Sequence, residues 1–175
     1  MRRVFVMLIA LGVGLFSLVA VTDRVTADGF TADEVIYTVA DASEAGGGTR
    51  GVANVRKASA WDQGEVFFFE QPLLSATVDE DGEWTNGDVI GTNAGFCIAT
   101  DPSNAFFECT WTLMWDGGRH SLTVAGQENG SGESWVAIVG GTGDFAGASG
   151  EMHSIPNGSD PNLQFQQTLF VKYGS

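Results

Sequence analysis

An all-β domain, a sandwich or a barrel, is what the sequence predicts for the chain beyond residue 30. Three observations carry this. Runs rich in valine, isoleucine, threonine and aromatic residues recur, each ended by glycine, asparagine, aspartate or proline. No window of useful length after residue 30 repeats its apolar residues with the helical period. The last run, Leu163 to Tyr173, sets Leu163, Phe165, Leu169, Val171 and Tyr173 on one side. Returning that strand to the first would remove both exposed sheet edges.

The N-terminal segment stands apart. Met1-Arg2-Arg3 is a short basic start, Val4 to Val21 is an apolar run, and Val25-Thr26-Ala27 offers the small residues that a signal peptidase reads. Residues 1–27 are therefore expected to be a signal peptide. An uncleaved anchor is the alternative, because the run borders on the length that spans a bilayer. Either way residues 28–175 form a single exported domain, secreted or held at the outer face of the membrane. Its 148 residues (the 175 less the first 27) suffice for one core. That part carries five basic against 21 acidic side chains, a net charge of −16. Such a surface repels nucleic acid and anionic lipid, so no nucleic-acid partner and no membrane contact beyond the N-terminal segment are expected.

Taken in order, Val35-Ile36-Tyr37-Thr38-Val39 is a β-branched run that ends near Asp41 and the Gly46-Gly47-Gly48 loop, and Val52 to Ala58 is a weak strand candidate. Glu65 to Gln71 is a strong strand stopped by Pro72, with Leu73 to Val78 continuing past a kink. Asp79-Glu80-Asp81-Gly82 punctuates a hairpin. A calcium loop is the rival reading, but only part of the alternating oxygen ligands, central glycine and terminal glutamate that such a site needs is present. Gly87 to Thr100 and Ala105 to Trp115 flank the turn Asp101-Pro102-Ser103-Asn104, the clearest hairpin of the chain. Asp116-Gly117-Gly118 turns into Ser121 to Gln127, and Glu128-Asn129-Gly130-Ser131-Gly132 turns into Ser134 to Val139.

Cys97 and Cys109 lie on the two arms of that hairpin. If the connection sets them opposite each other, a disulfide is geometrically possible, and an exported chain meets a compartment that permits it. Alternation then fixes a face. Gly91, Asn93 and Gly95 go with Cys97, and Phe107, Trp111, Leu113 and Trp115 go with Cys109. Small residues on one strand oppose indoles on the other, which either fills a core or shapes an aromatic-lined pocket with Asn93 as a polar handle. Glu108, Thr110 and Thr112 fall on the opposite face.

The segment from Ile138 to Met152 is glycine-rich without being a linker, since Phe145 and Met152 lie inside it. A dinucleotide loop would open a helix, and Ala146-Gly147-Ala148-Ser149-Gly150 is a poor helix start. No Gly-Lys-Ser/Thr closes a phosphate loop either. Two strands joined by a tight glycine turn are expected instead. Other catalytic patterns are thin. No Gly-x-Ser-x-Gly elbow frames a nucleophile. His120 lies near a turn, and His153 with Glu151 on one strand face is a possible acid/base pair, though strand-end polar residues are more often solvated. No metal-ligand spacing is present, and neither metal nor cofactor is expected.

Ala137, Ile138, Gly140, Gly141, Gly143, Phe145, Gly147, Ala148 and Gly150 reproduce a pattern that resembles the signature segment of the allene oxide cyclase and dirigent barrel superfamily. Gly91-Thr92-Asn93-Ala94-Gly95-Phe96-Cys97, Phe107-Glu108 with Thr110, Gly126, and the closing Phe170-Val171-Lys172-Tyr173-Gly174 are similar to the same core. The resemblance implies a closed eight-stranded antiparallel barrel, as a trimer or dimer, with a hydrophobic cavity that steers reactive intermediates by shape. The plant cyclase's glutamate and asparagine after a tyrosine correspond, aligned on Tyr37, to Thr38 and Ala40. Its asparagine beyond a proline falls near Ser75, and its cavity cysteine corresponds to Cys97. Allene oxide cyclisation is therefore not expected. The expected function is an exported barrel that binds a small apolar molecule, with Tyr37, Asn93, Phe107, Trp111 and Trp115 lining the lumen. A cyclase or isomerase without covalent catalysis, or a stereoselective coupling protein, is the alternative, and a structural surface protein the second.

Overall fold

The computed structural model describes Thr26–Ala27 and residues 30–43, 62–159 and 162–174. The N-terminal apolar run Val4 to Val21, expected to belong to a signal peptide, the Gly46-Gly47-Gly48 loop and the candidate strand Val52 to Ala58 lie outside the described residues. A two-residue ribbon, β1 (Thr26–Ala27) with β2 (Phe30–Thr31), precedes the barrel. The barrel strands are β3 (Glu34–Asp41), β4 (Val66–Val78), β5 (Trp84–Asp101), β6 (Phe106–Trp115), β7 (His120–Asn129), β8 (Ser134–Thr142), β9 (Ala148–Asn157) and β10 (Gln164–Tyr173). They close in the order β10-β3-β4-β5-β6-β7-β8-β9, every neighbour antiparallel, so the last strand does return to the first. No helix among the described residues is long and apolar enough to cross a membrane.

Closure gives each strand one inner and one outer face. Leu73, Leu113, Leu122, Val124, Met152, Leu169 and Val171 are sealed from solvent and form one cluster with the cystine. Removing that much apolar surface from water is the main force holding the barrel closed. The hairpin register follows the predicted alternation: Gly91 pairs Trp115, Asn93 pairs Leu113, Gly95 pairs Trp111, and Cys97 pairs Cys109. The last two are joined in a disulfide, consistent with an oxidising compartment. Replacing both by alanine is expected to lower stability by ~3 kcal/mol, the loop-closure entropy returned to the unfolded chain. A lower unfolding free energy in water, extrapolated from denaturant curves with the slope fitted for each protein, would show it.

Some elements differ from expectation. Pro72 does not stop its strand: β4 runs through it, because the ladder to β3 begins only at Leu73 and no partner there asks for the missing N–H. Register shifts at Leu73/Leu74 and Leu74/Ala76 make the expected kink. Glu128 and Asn129 belong to β7 rather than to the following turn. In the glycine segment a 3-10 turn, Gly143–Phe145, joins β8 to β9. Gly143 takes φ +62, and at Gly150 (φ +142) a Cβ would stand 2.0 Å from the Phe170 carbonyl oxygen. Gly141 is also enclosed, by backbone oxygens of Phe145 and Ser121, and Gly147 takes φ +79. A Cβ on Gly140 would meet nothing within 4 Å, so that glycine has no steric reason to be one.

Candidate functional site

Beside the aliphatic cluster and the cystine, the interior carries an aromatic wall and a polar one. Gly95 builds the first. It lies between Phe69 on β4 and Trp111 on β6, and the absence of a side chain lets the indole extend over β5 toward the phenyl ring. The Phe69 and Trp111 rings are 6.3 Å apart at 62°. Phe67 lies 6.3 Å from Phe69 and meets Phe107 edge-on at 5.5 Å. Trp115 lies farther along β6 at one end of the barrel, 5.0 Å from Phe145.

The polar wall comes from four strands, one residue each. Ser134 on β8 pairs Ser154 on β9, Ser154 pairs Gln167 on β10, and Gln167 pairs Thr38 on β3. Thr38 Oγ1 donates to Gln167 Oε1 at 3.0 Å, and Ser134 Oγ accepts from the Asn129 amide at 2.9 Å. On the aromatic side, Asn93 Nδ2 donates to Gln71 Oε1 at 3.2 Å. Three buried atoms find no hydrogen-bond partner among the described residues: Asn93 Oδ1, Trp111 Nε1 and Ser154 Oγ. Their residues are 2 %, 3 % and 1 % exposed. An unpaired buried donor or acceptor costs about 1–3 kcal/mol, so each demands a reason.

Glu128 adds an ionisable group on the inward face of β7. It pairs Phe107 on β6, on the same face as Val124 and Leu122, and burial pushes its carboxyl up to about 7. Its Oε2 lies 3.7 Å from Cys109 Sγ. A disulfide sulfur has no hydrogen to give, so this contact is a hydrogen bond only when the carboxyl is protonated and donates. Cys97, Cys109 and Glu128 group their Sγ and carboxylate atoms within 4.8 Å of one another, but sulfurs bonded to each other are not the thiolates a metal requires.

Of the residues singled out in the sequence, Asn93, Phe107 and Trp111 are brought together inside, with Trp115 near one end. Tyr37 is not among them. It pairs Thr168, out of phase with the inward Thr38, and packs edge-on against Trp84 at 5.5 Å on the outer face. His153 is also outside, stacked on Trp135 at 4.3 Å, and its Nε2 lies 2.9 Å from Glu133 rather than beside Glu151. His120 Nδ1 accepts from the Asp144 amide at 3.1 Å near the Trp115 end. Thr38 lies directly opposite Ser75, so the positions aligned with the plant cyclase's polar residues do meet, without an ionisable group between them. Glu128, Gln71, Ser134, Ser154 and Gln167 were not legible as site residues. The parity of Glu128 with Leu122 and Val124, and of Gln167 with Leu169 and Val171, was the available signal.

A closed antiparallel barrel of eight strands with an aromatic and a polar wall inside is thus the class of protein defined by fold and site. No protein-family model and no curated protein matches the chain. Among solved structures, it is similar to two pterocarpan synthase dirigent proteins. One has TM-score 0.62 and 18% identity over 83% of this chain and 100% of the other. The second has TM-score 0.60 and 17% identity over 80% and 88%. A pyocyanin demethylase matches with TM-score 0.53 and 19% identity, over 79% of this chain and 99% of its own. The chain shares the barrel fold of these dirigent proteins, as the resemblance of its glycine segment implied.

Proposed function

We propose that this protein is an exported barrel that holds a small, largely apolar molecule against the wall formed by Phe67, Phe69, Phe107 and Trp111. The observation that carries the reading is a pair of sealed polar atoms on one face of the hairpin, the Trp111 indole N–H and the Asn93 side-chain oxygen, each without a partner among the described residues. Aromatic surface with a few polar atoms is the usual make-up of a small-molecule site, and none of the described residues hydrogen-bonds to these two atoms. Tryptophan fluorescence, titrated with a panel of apolar and phenolic compounds, tests it. Saturable quenching that disappears in a folded Trp111→Phe variant is the expected result. A flat response to every compound would leave a structural role.

One observation favours chemistry as a second reading. Glu128 supplies an acid whose proton is exchangeable near neutral pH, inside a water-poor interior, which suits a cyclisation or isomerisation by proton transfer without a covalent intermediate. Structures that share the fold are named as synthases and as a demethylase, so the same scaffold carries reactions elsewhere.

A further inference from the structure

We propose that the molecule held in the barrel is neutral and carries a hydroxyl or an amide, which bridges Trp111 Nε1 and Asn93 Oδ1. This deepens the ligand-binding reading and rests on it. The two atoms are complementary, one a donor and one an acceptor, and they belong to neighbouring positions of a single face. Asn93 pairs Leu113, and Trp111 lies two residues back along β6 opposite Gly95. Diagonal neighbours of this kind are within reach of long side chains. Yet the indole N–H and the amide oxygen do not bond each other, and each is sealed without a partner among the described residues. The amide's other end is committed to Gln71. A hydroxyl satisfies both at once, accepting from the indole N–H and donating to Oδ1. An amide does so with its C=O and N–H. A hydrocarbon satisfies neither.

A third unpaired group lies across the barrel. β5 and β9 are four places apart in the ring of eight, so Ser154 is on the wall opposite Asn93 and can receive a second polar point at the far end of a ligand. Charge narrows the class further. The only lysine and arginine among the described residues are Lys172, exposed on β10, and Arg119, whose side chain is 76% exposed in a turn. No described lysine or arginine therefore faces the interior to neutralise a carboxylate; His120, which shares the parity of Leu122 and Val124 on β7, already lies 3.2 Å from the Asp144 carboxylate near the Trp115 end, and Glu128 repels a carboxylate whenever it is ionised.

Calorimetric titration of the purified protein at pH 6 with naphthalene, 2-naphthol and 2-naphthoate tests this, since the three share one apolar body. The expected order is 2-naphthol first, about tenfold tighter than naphthalene, as one to two net hydrogen bonds provide, with 2-naphthoate weakest. In Trp111→Phe both compounds are expected to lose the contact that the larger indole makes, and the advantage of the naphthol over naphthalene to shrink to about threefold or less. The wild-type ratio decides the matter even if that variant fails to fold. Equal affinity of naphthalene and 2-naphthol overturns this inference and leaves the site standing, as does tightest binding of the naphthoate. Absence of heat and of competition for all three probes overturns both.

Discussion

Alanine at Gly95 is expected to cost at least about 3 kcal/mol and to leave much of the protein unfolded at 37 °C. A Cβ there would stand 2.3 Å from the Thr110 carbonyl oxygen, 2.3 Å from Trp111 Cβ and 2.5 Å from Trp111 Cα. Two of these belong to the backbone of β6 and the third is fixed to it, so no rotamer relieves the contact. Either the β5–β6 ladder opens, or the indole leaves its place against Phe69. Both remove packing from the middle of the aromatic wall. Gly140→Ala is the matched control. It adds the same methyl to an extended strand where nothing lies within 4 Å, and its effect is expected to stay within about 0.5 kcal/mol. Thermal and denaturant unfolding of both variants checks the contrast. A Gly95 variant as stable as the wild type would mean that the indole does not cover β5, and the aromatic wall would have to be redrawn.

That wall was legible in the sequence because one hairpin fixes it. Cys97 and Cys109 define a face only if they are opposite, and once they are, period-two alternation assigns Asn93, Gly95, Phe107 and Trp111 without further information. The first barrel strand offers no such anchor. Val35, Ile36, Tyr37 and Val39 are apolar on both faces, so the sequence pattern cannot say which face looks inward, and Tyr37, expected to line the lumen, packs outside against Trp84. The polar wall was illegible for a different reason. It takes one residue from each of β8, β9, β10 and β3, and only the closed ring of register pairs brings Ser134, Ser154, Gln167 and Thr38 into line. Glu128 looked like turn chemistry because Asn129-Gly130 follows it, and local turn signals outweighed the strand's alternation.

Glu128→Gln is expected to stabilise the protein by roughly 2–3 kcal/mol above pH 7 and to change nothing near pH 4. The sign follows from where the proton is held. In the fold the carboxyl titrates at about 7, raised from 4.5 by burial. Below the lower value both native and unfolded chains are protonated there, and the group is neutral in its effect. Between the two values the unfolded chain releases the proton while the native barrel keeps it, so stability falls as pH rises. Above 7 the native state carries a poorly solvated carboxylate at full cost. The magnitude is set below the whole shift because the residue keeps part of its surface in water. Glutamine keeps the shape and hydrogen-bonding capacity of the protonated acid without the charge, so it removes this pH dependence and leaves that of the acidic surface. Unfolding curves of both proteins at pH 4, 5.5 and 8 separate the two contributions. A difference that stays flat with pH would mean that Glu128 is ionised and solvated in the fold, and proton transfer inside the barrel would lose its donor. A difference that opens between pH 4.5 and 7 would show a fold that tolerates a destabilising acid in its interior, a cost that a purely structural barrel has no reason to carry.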